Sequence, residues 1–132
     1  MTVTGFMIKF SCGNGEQYER IGAFWKAMSD CYPLETLDGI GYGWENDTLN
    51  YMIGRIDSEL PNDITSLKES FPQAQYAKIQ LPDEGWISYR GKTDALDQLY
   101  AKVYQEGPLD FEIENFHEDG TCMVRIFRNC PD

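Results

Sequence analysis

Apolar and polar residues alternate along residues 3–10, VTGFMIKF, which puts Phe6, Ile8 and Phe10 on one side and Met7 on the other, the period of a half-buried strand. SCGNG breaks that alternation, and from Glu16 the period changes. Tyr18, Ile21, Trp25 and Met28 recur at spacings of three, four and three, with Phe24 widening the stripe, which predicts an amphipathic helix closed by Pro33. Glu16 and Arg20 stand at the i,i+4 spacing of an ion pair on that helix. TLDGIGYGW and TLNYMIGRI then read as two strands of a hairpin turned by ENDT.

Residues 57–74 are polar and hold two prolines, which predicts a connector with at most one helical turn near residues 66–70. QYAKIQL and GWISYRG read as strands separated by PDE. Residues 92–106 predict the second main helix, with Thr93 capping its start, Asp94 and Asp97 at the positive end of its dipole, and Gly107 and Pro108 as the stop. Leu96, Leu99, Tyr100 and Val103 form its apolar stripe. LDFEIENFH and CMVRIF close the chain as a hairpin turned at Asp119 and Gly120.

The order strand, helix, strand, strand therefore occurs twice, in pseudo-repeats of about 1–56 and 75–132 around the connector 57–74, within one domain of 132 residues. The predicted fold class is α+β: a duplicated strand-helix-strand-strand unit, antiparallel sheets, two main helices and a central cleft.

Composition narrows the function. A net charge of −11, from 22 acidic against 11 basic residues, repels phosphate backbones, so direct nucleic-acid binding is not expected. No apolar run of about 18 residues is present to span a membrane, and MTVTGFMIKF lacks the pattern of a signal peptide, which predicts a cytoplasmic protein. Cys12, Cys31, Cys122 and Cys130 have no metal-binding or redox spacing, so free thiols, no metal and no cofactor are expected. The single histidine, His117, reads as a solvated turn residue.

The stretch FEIENFH carries the chemistry. On a strand, Glu112, Glu114 and Phe116 share one face while Phe111 and Ile113 share the other. Two readings stand open. If the acidic face meets water, the charges are ordinary surface charges. If it is covered, each carboxylate needs a partner, because an unpaired buried charge is very costly.

Taken together, the segments IGAFW, GIGYGWENDTLNYMIG, IQLPDEGWISYRGKTDALDQLYAKVY and FEIENF resemble, in order and spacing, the GyrI-like small-molecule-binding domains, which also serve as effector-binding parts of AraC-type and MerR-type bacterial regulators. The resemblance implies two strand-helix-strand-strand units around an aromatic-lined pocket for bulky, often cationic compounds. It also implies a glutamate at the pocket floor two residues before an aromatic. Glu114 with Phe116 matches that pair, although the aromatic is Phe rather than the usual Tyr, and Glu112 is a second acid for the same role. Trp25, Tyr42, Trp44, Tyr51, Trp86 and Tyr89 are the candidate rings of the walls, each of which is also a candidate for plain core packing.

The regulators of this family carry a DNA-binding helical segment ahead of the pocket domain; this sequence begins at the first strand, so a stand-alone pocket is expected. The first function is binding of a bulky aromatic or cationic compound, for sequestration or sensing. The second is hydrolysis of electrophilic toxic natural products, with Glu114 or Glu112 as the catalytic acid or base. The third is an acidic protein inhibitor of DNA gyrase, with a regulator or gyrase as protein partner. No nucleophile motif accompanies the acids, so binding leads over catalysis.

Overall fold

Seven strands pair side by side in the order β4-β1-β3-β2-β6-β7-β5, every neighbouring pair antiparallel. The computed structural model describes residues 1–11, 16–45, 47–60, 65–107 and 109–128. In chain order the elements are β1 (Thr2–Ser11), α1 (Glu16–Ser29), β2 (Asp38–Glu45), β3 (Thr48–Ile56), α2 (Thr65–Ser70), β4 (Gln75–Gln80), β5 (Ile87–Lys92), α3 (Leu96–Gln105), β6 (Phe111–Phe116) and β7 (Thr121–Phe127). The SCGNG break beyond Ser11, the Glu16 partner of Arg20, Asn46 of the ENDT turn, Pro108 and Cys130 lie outside the described residues or side chains.

The α+β duplication is visible in the strand order. The first unit lays its strands as β1-β3-β2, the second as the mirror sequence β6-β7-β5, and the two meet at β2 and β6 in one continuous sheet. The edge strand β4 is added outside β1. Neither α1 nor any other helix among the described residues is long and apolar enough to cross a membrane.

Alternation divides each strand between two faces. On the helix face, Phe6, Ile8 and Phe10 of β1 and Leu49, Tyr51 and Ile53 of β3 pack against Phe24, Trp25 and Met28 of α1. Several of these side chains are fully buried, and burying each contributes about 1.5–3 kcal/mol. Under α3 the apolar cluster is smaller: Val103 and Leu109 meet Val124 and Ile126 of β7. The opposite face holds Val3, Ile40, Met52 and Ile113, covered by Leu81 and Trp86.

Those last two residues belong to a strap, residues 81–86, that crosses from one edge strand to the other. It is fixed at one end by paired backbone bonds between Met1 and Leu81 (2.7 and 2.9 Å) and at the other by the Trp86 indole donating to the Pro82 carbonyl (2.8 Å). The N-terminal ammonium also contacts the Asp83 carboxylate.

The entry to α3 differs from expectation. Residues Thr93–Ala95 form a 3-10 turn, and the Thr93 hydroxyl reaches the Thr121 carbonyl at 3.4 Å instead of capping the helix. Hydrogen bonding across to β7 wins because β5 pairs with β7 right up to Lys92 opposite Thr121. At the far end Gly107, with φ +120°, takes a backbone conformation that non-glycine residues avoid, and the helix stops there.

Candidate functional site

The two central strands face each other in a register that brings glycine against glutamate: Gly39 lies opposite Glu114 and Gly41 opposite Glu112. Continued outward, one row across the sheet reads Phe6, Ile53, Gly39, Glu114, Val124, Tyr89. The next reads Ile8, Tyr51, Gly41, Glu112, Ile126, Ile87. Each row is mostly apolar at its flanks and carries an acid and a glycine at its centre. The space over each glycine is taken by neighbouring side chains that a larger residue would displace. A Cβ on Gly39 would collide with the Tyr51 hydroxyl and sit 2.6 Å from the Trp25 ring; one on Gly41 would sit 2.8 Å from Glu112 Oε1.

Above this centre, between α1 and α3, lies a cavity of about 860 Å³, within the size range of drug-sized ligand sites. Gln17, Tyr18, Ile21, Gly22 and Trp25 line it from α1; Leu96, Asp97, Tyr100, Ala101 and Tyr104 line it from α3. Glu112, Glu114 and Phe116 of β6, Leu49 and Tyr51 of β3 and Trp44 of β2 complete it. Helical spacing explains the α3 side, since Leu96, Tyr100 and Tyr104 recur every four residues while Val103 turns into the core beneath.

Both glutamates are covered. Each is only 6 % exposed, so the acidic face of β6 does not meet bulk water. Glu114 ends a relay: the Trp25 indole donates to the Tyr51 hydroxyl at 2.7 Å, and that hydroxyl donates to Glu114 Oε1 at 2.5 Å. The second distance is that of a hydroxyl bonded to a carboxylate. Glu112 accepts from the Tyr104 hydroxyl at 3.2 Å. The Tyr100 hydroxyl is buried beside Glu114 and makes no hydrogen bond of ordinary geometry; Gln17 Oε1 is likewise buried without one among the described residues.

Burial raises the pKa of both acids, because a low-dielectric site disfavours the charged form. For Glu112 the neighbouring Glu114 charge raises it further, and the bond from Tyr104 offsets only part. For Glu114 the bond from Tyr51, and the Tyr100 hydroxyl lying nearby, work against the desolvation. Both acids are therefore pushed toward the protonated form, Glu112 the further, because the Glu114 charge adds to its desolvation while the Tyr51 bond supports charge on Glu114. Desolvation, and then the Glu114 charge, push the Tyr51 and Tyr100 hydroxyls well above their ordinary range, so both remain donors. Among the described residues, none of the side chains lining the cavity is basic.

Of the residues singled out in the sequence, Glu112, Glu114, Phe116, Trp25, Trp44 and Tyr51 are brought together here. Trp25 meets Phe116 edge to face, centroids 4.9 Å apart, so the ring that replaces the usual tyrosine braces the wall. Tyr42, Trp86 and Tyr89 are not part of this lining. Tyr42 falls between Gly41 and Gly43 on β2, so its side chain leaves on the opposite face, packed near Phe111. Trp86 precedes β5 and lies in the strap against Phe111 and Phe127. Tyr89 is on the helix face but outside the cavity, in the cluster under α3, with its hydroxyl 3.4 Å from Glu106. His117 ends the last hairpin, its backbone N–H donating to the Thr121 carbonyl at 3.0 Å. Tyr18, Tyr100 and Tyr104 were not among the expected wall residues; their signal was the aromatics on the two helix faces that line the cavity.

No protein-family model matches the chain, and no curated protein matches it in sequence. Solved structures do share its fold. SAV2435, whose structure was determined bound to tetraphenylphosphonium, superimposes with a TM-score of 0.64 at 12% identity, covering 96% of this chain and 87% of that one. A protein from Staphylococcus aureus MU50 named as a candidate bacterial transcription regulator superimposes with a TM-score of 0.61 at 12% identity, covering 96% and 90%. The architecture is thus one found in regulator-related and small-molecule-binding proteins.

Proposed function

We propose that the cleft is a receptor for bulky aromatic organic cations, in a GyrI-like small-molecule-binding domain that senses or sequesters such compounds. One observation carries the reading: two buried acidic side chains share an open cavity walled by Trp25, Trp44, Tyr51, Tyr100 and Phe116, with no basic side chain among its described lining. A buried anion without a cation is costly, and an aromatic cation supplies both the charge and the flat surface that the rings attract. The tetraphenylphosphonium bound by SAV2435, on the same fold, supports the same ligand class.

Calorimetric titration of tetraphenylphosphonium and of its neutral analogue triphenylphosphine oxide tests the reading. The cation is expected to bind at least about tenfold more tightly, a difference of about 1.4 kcal/mol, and Glu114→Gln is expected to remove that difference. Equal affinities for the two compounds in the unmodified protein would reject it.

The difference between the two acids favours one second reading. Glu112, pushed further toward its protonated form, beside Glu114, whose charge Tyr51 supports, would supply an acid and a base in one site, the arrangement needed to hydrolyse an electrophile. Mass spectrometry of an aromatic epoxide after incubation decides this. A diol that forms with wild type but not with Glu112→Gln supports hydrolysis, and unchanged epoxide rejects it.

A further inference from the structure

We infer that the cleft selects aromatic dications, whose two positive centres each reach one of the two acids of β6, over monocations built on the same rings. This rests on the cation-receptor reading and deepens it.

A monocation needs one carboxylate. The floor offers two, and they are individually supported. Glu114 is held deep in the site by Tyr51 and Trp25, while Glu112 is held by Tyr104, which is 43% exposed. Being two residues apart on one face of β6, the acids are separated by one full strand repeat. Opposite each stands a glycine of β2, so no β2 side chain crowds the line that joins them.

The site has unused hydrogen-bonding capacity as well. The buried Tyr100 hydroxyl beside Glu114 and the buried Gln17 Oε1 on the α1 wall have no protein partner of ordinary geometry among the described residues. A monocation seated at Glu114 leaves Glu112 without a cation beside it. A dication lying along the strand pairs with both acids, Glu112 giving up its proton to the solvent as the second charge arrives, and the cavity of about 860 Å³ has room for it.

Ethidium and propidium test the inference, because they share one phenanthridinium ring system and propidium adds a second, quaternary ammonium on a short arm. Titration in 0.3 M salt suppresses attraction to the acidic surface at large. Wild type is expected to bind propidium at least tenfold more tightly than ethidium, and Glu112→Gln is expected to bring propidium to within twofold of ethidium. Equal affinity for the two dyes in wild type overturns the inference while leaving the cation receptor intact. A propidium preference that persists in Glu112→Gln overturns it too, since the second charge would then be read elsewhere. Failure of both dyes to bind overturns the inference together with the receptor reading.

Discussion

β2 and β6 hold equivalent places in their units, each the strand that meets the other unit, yet they bring opposite chemistry to the same floor. β2 presents Gly39 and Gly41; β6 presents Glu112 and Glu114. The backbone geometry is shared, so the difference lies wholly in the side chains. The glycines of β2 let Tyr51, Trp25 and Glu112 lie close over that strand, where two strands with larger side chains would hold them off. The reverse faces of the same strands show the contrast: there Ile40 and Ile113 pair directly and are fully buried.

The largest effect is expected from enlarging a glycine of β2. Gly39→Val drives a branched side chain into the Tyr51 hydroxyl and the Trp25 ring, and overpacking of this kind costs about 1–3 kcal/mol. Urea unfolding should show that loss, and titration should show tetraphenylphosphonium binding abolished. A variant as stable as wild type that still binds would mean that glycine is not what lets those side chains lie close.

A smaller effect sharpens the acidic side. Tyr51→Phe removes the 2.5 Å bond to Glu114 and the acceptor of the Trp25 indole, leaving two buried groups unpaired at a cost of about 1–3 kcal/mol, less whatever trapped water restores. It should also raise the Glu114 pKa further, readable by carbon-13 NMR of the labelled carboxyl. An unshifted titration would show that the relay does not hold the charge.

The smallest effect is a slope. The folded pKa of Glu112 is raised, so between its unfolded value near 4.5 and its folded value the native state binds more protons than the unfolded state. Stability therefore falls as pH rises through that window and stays lower above it. Glu112→Gln keeps a neutral side chain at every pH, so its urea midpoint should fall less between pH 5 and pH 8 than that of wild type. Parallel slopes would place Glu112 in its ordinary range and undo the difference between the two acids.

Much of the fold was legible because it is local. Alternation in VTGFMIKF, the helical stripe from Tyr18 to Met28, and the stop at Gly107 need only neighbouring residues. That Glu112, Glu114 and Phe116 share a face was equally legible from strand parity. Whether that face is covered was not, since the answer depends on α1 and α3 standing on either side of it. Tyr42 shows the same limit: alternation in GIGYG says that it points away from Gly41, but only the pairing of β2 with β6 says that Gly41 looks into the cleft. Trp86 reads as the start of a strand, and its indole bond to Pro82 instead makes it part of the strap.

That strap sets a mechanical limit. From Gln80 to Ile87 the chain makes seven Cα steps, which at about 3.8 Å each reach about 27 Å at most. Six gaps between seven strands at about 4.8 Å need about 29 Å in a flat sheet. The tether is too short for flatness, so the sheet arches around it and its two edges are leashed together behind the site. Flattening would swing α1 and α3 toward each other, and the leash forbids it. Any change in the width of the cleft must therefore come from turning rings and shifting helices rather than from working the sheet as a hinge.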